Sequence, residues 1–494
     1  MPGIALNEDN SHYFFTRAGQ RLDAETVASW VDQYAGTQVK ELLLCPNCMR
    51  TSFQSAAWDP IWRGYDPEAD DDQPLLASRP PEERAEARKW IHTAWQLARD
   101  GIDVYAVWIA RCRQVGISPW LSMRMNDLHW VDDERAYIHS EFWRSRPDLR
   151  RTQYREGPWT NKAFDFDQAE VREYHLRLIR ELAERYDFDG LELDWMRFGF
   201  HFRPGCELEG GELLTGFTAE VRRLLDAWAA RRGHPIRLGA RVPSRPETAR
   251  RMGMDAVAWA RKGLIDWLVV TPFWASAETD MPIELWKALL DGAGVTLCAG
   301  LEILLRPYDA FPRLMTNSLE TARGAAASFL DRGADRVYLF NYFDSVTAMD
   351  DLQNYPVLLR EVGEEATLRG KYRRHVLTFA DTWAPGEPRA CPLPAIVGAG
   401  QVGAFRLPTG PRPETGEATV LLGVLSGGIE EAEVRLNGEI CPPCGRQELP
   451  SPAPDCPVHA FGISPAALRR GDNVIEVRPV QEITFGWVEI DIRP

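Results

Sequence analysis

Asp189, Glu192 and Asp194 stand together in the stretch FDGLELDWMRF, residues 188–198, whose other positions are mostly apolar. Such a run reads as a buried strand, and a carboxylate inside one costs several kcal/mol to desolvate unless it is paired or used. Strand alternation turns Leu191 and Leu193 to one face and Glu192 and Asp194 to the other. Two carboxyls stacked on one face can serve acid/base or nucleophilic chemistry, or belong to a structural ion-pair network. Other chemistries lack their residues: the sequence has no H-x-H or H-E-x-x-H for a hydrolytic metal, no G-x-S-x-G elbow and no phosphate loop. No metal or cofactor is implied.

The elements that must position these acids repeat along the chain. Short apolar runs at Ile4–Leu6, Val39–Leu44, Ile117–Met125, Gly190–Trp195, Ile236–Val242, Ile265–Phe273, Val295–Leu301 and Val337–Phe343 alternate with amphipathic segments. Val171, Tyr174, Leu178 and Leu182 recur at helical steps, as do Leu214, Phe217, Val221, Leu224 and Trp228. Gly233, Gly263 and Gly333 each precede a run, as a left-handed helix C-cap before a strand would. Eight strand–helix repeats predict a closed (β/α)8 TIM barrel, and the absence of a G-x-G-x-x-G fingerprint argues against an open dinucleotide-binding sheet. After residue 370 the helical period gives way to short alternating segments such as HVLTF, ATVLLGVL and WVEIDI between Pro- and Gly-rich turns, the pattern of an all-β sandwich. The expected domains are therefore 1–370 and 371–494.

In such a barrel the site lies at the C-terminal ends of the strands. The third run leads there into Arg124, Asn126, Asp127 and His129. The fourth supplies Glu192, Asp194, Trp195 and Arg197, the fifth Arg241, the sixth Trp274, the seventh Glu302, and the eighth Asn341, Tyr342 and Asp344. The expectation is that Arg124 or Arg241 holds Glu192, one layer down, and leaves Asp194 at the rim for chemistry. Arg124, Arg197 and Arg241 could instead bind an acidic sugar.

Asp189-Gly190 and Asp194 in FDGLELDW resemble the fourth-strand signature of barrel glycoside hydrolases. Family 18 chitinases carry D-G-x-D-x-D-x-E there, but position 196, where they keep their general acid, is Met, which excludes a simple chitinase assignment. The glycosyl-hydrolase-like 10 group is the closer similarity, since GARVPSRPE and GLIDWLVVTPFW also read like its fifth and sixth strands. The resemblance implies a hydrolase of a polysaccharide or oligosaccharide. Cleavage of a glycosidic bond uses two carboxyl groups, about 5–5.5 Å apart to retain configuration and about 6.5–9.5 Å apart to invert it. Asp194 is the first candidate. Glu302, across the mouth on the seventh run, is favoured as its acid/base partner over Asp127 on the neighbouring third. Asn126, His129, Glu192, Trp195, Arg197, Arg241, Arg124, Trp274, Asn341 and Tyr342 are the expected substrate contacts. The C-terminal VRLNGE and LRRGDNVIEVRP resemble galactose-binding-like jelly-roll modules. Two other classes stay open: a catalytically silent carbohydrate-binding barrel, motivated by Met196, and a lyase or isomerase using arginine and Tyr342 on an acidic sugar.

Bulk properties fit a carbohydrate partner. A net charge of −15 over 494 residues disfavours nucleic acid and anionic membrane surfaces. No stretch approaches a membrane span and MPGIALNEDN lacks signal-peptide character, so a cytoplasmic location is expected. The nine cysteines, including the C-x-x-C pairs Cys45/Cys48 and Cys441/Cys444, form no disulfide framework and read as bystander thiols. Among the 18 tryptophans, Trp58, Trp62, Trp130, Trp143, Trp159, Trp195 and Trp274 fall at or after strand ends, where sugar rings could stack on them. Oligomeric state is not legible.

Overall fold

A computed structural model describes residues 2–494 apart from 153, 155, 156, 346–348, 350 and 390. Strands Ile4–Glu8, Val39–Leu44, Ser118–Arg124, Gly190–Asp194, Arg237–Pro243, Trp267–Thr271, Thr296–Glu302 and Arg336–Phe340, strands 1 to 8 below, are parallel neighbours. The ring closes where Ile4 pairs with both Val39 and Val337. Every apolar run read from the sequence supplies one strand, with ends shifted by a few residues. Strand 8 stops at Phe340, because Asn341 turns the chain at φ 63°, a left-handed conformation that asparagine tolerates better than most residues.

Helices cover the outside of the ring. Ala169–Arg185 and Glu207–Arg232 bury the periodic positions Val171, Tyr174, Leu178, Leu182, Leu214, Phe217 and Val221. Gly233 caps the second helix at φ 77°. Inside the ring, Trp120 and Trp267 pack 5.0 Å apart beneath the mouth. Two strand glycines make this possible: a Cβ on Gly190 would lie 2.4 Å from the Trp120 ring, and one on Gly239 would lie 2.9 Å from Trp267.

From Arg373 onward the strands are antiparallel. One sheet runs Arg373–Val376, Ile483–Arg493, Glu417–Ser426, Val458–Ile463 and Pro443–Arg446, and a second contains Gly403–Pro408, Asp472–Arg478, Glu433–Leu436 and Glu439–Ile440. They share one apolar core that includes Val420, Ile475 and Phe485. Leu305, Tyr308, Phe311 and Met315, from the loop after strand 7, insert into that core, so this region packs directly on the barrel. No helix among the described residues is long and apolar enough to cross a membrane.

Candidate active site

Parallel register sets the partners of the two acids on strand 4. Arg124 of strand 3 and Arg241 of strand 5 stand level with Asp194, whereas Ser122 and Gly239 stand level with Glu192. Arg241 Nη1 donates to both Asp194 oxygens, at 3.0 and 3.2 Å, and Nη2 reaches Thr271 Oγ1 at 3.4 Å. The guanidinium also lies 3.8 Å from the centre of the Phe340 ring. Asp194 Oδ1 accepts the Met196 N–H at 3.0 Å, and the residue is 1% exposed.

This reverses the sequence expectation: the arginine holds Asp194, not Glu192. Glu192 accepts hydrogen bonds from Ser122 Oγ and Tyr338 Oη, both at 2.7 Å, and its second oxygen has no hydrogen-bond partner among the described residues. Burial, and then the neighbouring charge of Asp194, push its carboxyl up to about 7. Fully enclosed below the mouth, Glu192 is a floor residue and not a rim contact.

Glu302 ends strand 7 at the level of Phe340. Its Oε1 accepts from Asn341 Nδ2 at 2.9 Å and from the Ile303 N–H at 3.0 Å, while Oε2 has no hydrogen-bond partner among the described residues. Burial pushes this carboxyl up to about 7, against the opposing pull of the Asn341 hydrogen bond and of the Arg241 and Arg197 charges. The left-handed turn at Asn341 thus delivers the amide that orients Glu302. Tyr342, the next residue, is fully buried with its hydroxyl 3.4 Å from the Glu302 carbonyl oxygen, so it supports the strand end and does not face the mouth. The tyrosine of the lyase or isomerase reading is therefore out of reach.

The strand 3 residues form a chain of their own. Arg124 pairs with Asp9 and, at 3.0 Å, with Asp127, so the charge expected for Glu192 or substrate is spent on these two acids. Asp127 Oδ1 accepts the His129 N–H at 3.0 Å and lies 2.8 Å from Nδ1 of the same residue. Although burial opposes ionisation, His129 and Arg124 hold Asp127 well below the usual carboxylate range, which removes it as a proton donor. Arg197 Nη2 lies 3.2 Å from His129 Nε2, which ties the strand 4 arginine to the same cluster. Asn126 is a loop clamp rather than a substrate contact: its Nδ2 donates to the Phe164 and Phe200 carbonyls and its Oδ1 accepts the Phe164 N–H.

The tryptophans divide. Trp195 points to the helix side, packed at 5.2 Å on Phe166 and 5.8 Å on Phe217, and Trp143 and Trp58 are also buried, so these three belong to the core. Trp274 is 40% exposed and Trp130 39%. A band of ring contacts runs from Trp274 through Phe273 (6.2 Å), Phe198 (5.2 Å) and Trp159 (5.4 Å) to Phe200 (5.7 Å), and Phe198 also meets His129 at 5.0 Å. The loop bearing Trp274 is fixed from the C-terminal region, because Asp381 accepts the N–H groups of Phe273, Trp274 and Ala275 at 2.8, 2.9 and 2.8 Å.

Ser122, Tyr338, Phe340 and Asp381 were not expected at the site. Alternation could have found the first three, since each shares an inward face with a residue already singled out or with the barrel core. No group of three or more His, Cys, Asp or Glu among the described residues could hold a metal ion. All nine cysteines are free thiols, and burial pushes Cys45 and Cys48 up to about 12.

No family model matches the chain, and no curated protein matches it. Among solved structures, α-L-fucosidase isoenzyme 2 from Paenibacillus thiaminolyticus is similar at 13% identity and a TM-score of 0.42, over 73% of this chain and 48% of that one. A multi-modular cell-surface chitinase from Paenibacillus sp. is similar at 11% identity and a TM-score of 0.40, over 98% and 52%. A family 36 α-galactosidase from Geobacillus stearothermophilus is similar at 13% identity and a TM-score of 0.34, over 98% and 55%. The chain thus spans about half the length of these structures, which are glycoside hydrolases by name, and likeness at this level leaves the reading of the site to its residues.

Proposed function

We propose that the barrel is a glycoside hydrolase in which Glu302 is the proton donor and Asp194 the ionised carboxylate. The observation that carries this reading is that the buried carboxyls ending strands 4 and 7 have unlike partners, a guanidinium for Asp194 and two neutral N–H donors for Glu302. Arg241 grips Asp194, while burial keeps a proton on Glu302 up to about pH 7. A carboxyl that keeps its proton near neutral pH can serve as the acid, and one paired with a guanidinium can serve as base or nucleophile. A glycosidic oxygen leaving as a sugar hydroxyl takes the Glu302 proton. Asp194 then either attacks the anomeric carbon or activates a water, according to the carboxyl separation in the substrate complex. Asn341 aims the donor, and the exposed Trp274 offers a flat face to sugar C–H groups.

The enclosure of Asp194, with its oxygens taken up by Arg241 and the Met196 N–H, favours a second reading, a barrel that binds carbohydrate without cleaving it. A panel of nitrophenyl glycosides and neutral oligosaccharides separates the two. Turnover of every substrate lost in Asp194→Asn, and turnover of the unactivated oligosaccharides lost in Glu302→Gln, supports the hydrolase, and saturable binding without any turnover supports the silent barrel. The anomer released first identifies retention or inversion.

A further inference from the structure

Beside the mouth, the C-terminal region sends a strap, residues 376–389, back across the loops that follow strands 5 and 6. Four contacts staple it down. The Thr279 N–H donates to Thr378 Oγ1 at 3.0 Å, Thr279 Oγ1 donates to the Val376 carbonyl at 2.8 Å, Asp381 takes the three N–H groups of 273–275, and Glu387 accepts from Thr248 Oγ1 at 2.8 Å. Ala384 packs into the core of the barrel itself. Between this strap and the loop after strand 4 lies a cavity of about 360 Å³, with Trp383, Glu387 and Arg389 on one wall and Phe200, Phe202 and Glu207 on the other. That volume falls in the range of small-molecule sites.

We propose that this cavity is a distal saccharide subsite, completed by the strap, which takes a neutral sugar unit of a chain whose scissile end lies in the mouth. The inference rests on the glycosidase reading for the position of the scissile bond. Three features point to the ligand class. The lining combines aromatic rings with donors and acceptors, the mixture that a sugar's C–H faces and hydroxyls require. Its charges offset in number: Arg151 and Arg389 are matched by Glu207, which lies 3.9 Å from Arg151, and Glu387, and His201 is held neutral because burial lowers it to about 3. No net charge is left to select an acidic sugar or a phosphate. Finally, the band of rings from Trp274 ends at Phe200, a wall of the cavity, so ring-to-ring contacts tie the cavity to the aromatic side of the mouth.

The test is chain-length dependence. Cello-, xylo-, manno- and chito-oligosaccharides of two to six sugars, with the matching nitrophenyl monoglycosides, are titrated calorimetrically into the full chain and into Trp383→Ala and Phe200→Ala; where a sugar is cleaved, kcat/KM replaces Kd. Thermal melting confirms that each variant is folded, and the two variants alter opposite walls. The wild type is expected to gain at least tenfold as one series lengthens. Both variants should lose that gain, with the shortest binder changed less than twofold. An unchanged length profile in both folded variants overturns the subsite, as does a wild type that binds no member of the panel. If the length-dependent gain and its loss appear without any cleavage, the subsite stands and the hydrolase reading fails.

Discussion

Replacing Glu302 by Gln should change the protein's stability in a pH-dependent way that can be worked out in advance. The carboxyl ionises near 4.5 in an unfolded chain and near about 7 in the folded barrel, because burial leaves Oε2 without a hydrogen-bond partner. At about 1.4 kcal/mol per pH unit, this difference is worth about 3 kcal/mol. The sign follows from proton counting. Between these two values the folded state holds a proton that the unfolded chain has released, so stability is fully present below pH 4.5 and is lost as pH rises to about 7. Glutamine keeps the acceptor for Asn341 Nδ2 and the Ile303 N–H, resembles the protonated acid in shape, and does not titrate. The variant should therefore match the wild type at pH 4 and exceed it by about 3 kcal/mol at pH 8. Urea unfolding of both proteins across this range reads the difference directly, and the raised carboxyls Glu192 and Glu278, present in both, largely cancel. A difference that stays flat from pH 4 to pH 8 refutes the claim that Glu302 carries a proton in the folded state.

Arg241→Ala leaves Asp194 buried without its cation and should cost about 3–5 kcal/mol, read as a lower denaturation midpoint at unchanged m-value. Asn341→Ala removes a hydrogen bond that lowers the Glu302 carboxyl, so the alkaline limb of the activity profile should move to higher pH; Asn341→Gly should move it equally while relieving the strain of a left-handed alanine. Gly190→Ala drives a Cβ to 2.4 Å from the Trp120 ring and should destabilise by about 1–3 kcal/mol in thermal melts, with little effect on the chemistry above it.

Period and alternation carried the architecture, because both are local properties of the chain. The eight apolar runs, the glycine caps and the loss of helical period after residue 370 each announce an element that the structure contains. Alternation also contained the answer for Trp195: it falls on the same side as Leu191 and Leu193 and duly faces the helices, although its place at a strand end suggested the mouth. What the sequence could not provide is register. Whether Arg241 stands beside Asp194 or Glu192 depends on how two parallel strands separated by a 26-residue helix slide past each other, and nothing local encodes that. The long loops hid the remainder. Asn126 lies in a polar segment like a substrate contact but clamps residues 164 and 200, and Asp381 reaches the site from more than 100 residues beyond the strand it serves.

The most direct test of a protonated Glu302 working with an ionised Asp194 is the leaving-group dependence of kcat/KM in Glu302→Gln. Aryl glycosides of one sugar, from dinitrophenyl to unactivated phenyl, vary only in how much proton donation the departing oxygen needs. The variant should retain near wild-type rates on the dinitrophenyl substrate and fall by 10²-fold or more on phenyl, with the wild type's alkaline limb near pH 7 absent. Equal losses on every aryl glycoside, or a limb near pH 7 that persists in Glu302→Gln, would contradict the assignment of Glu302 as the proton donor.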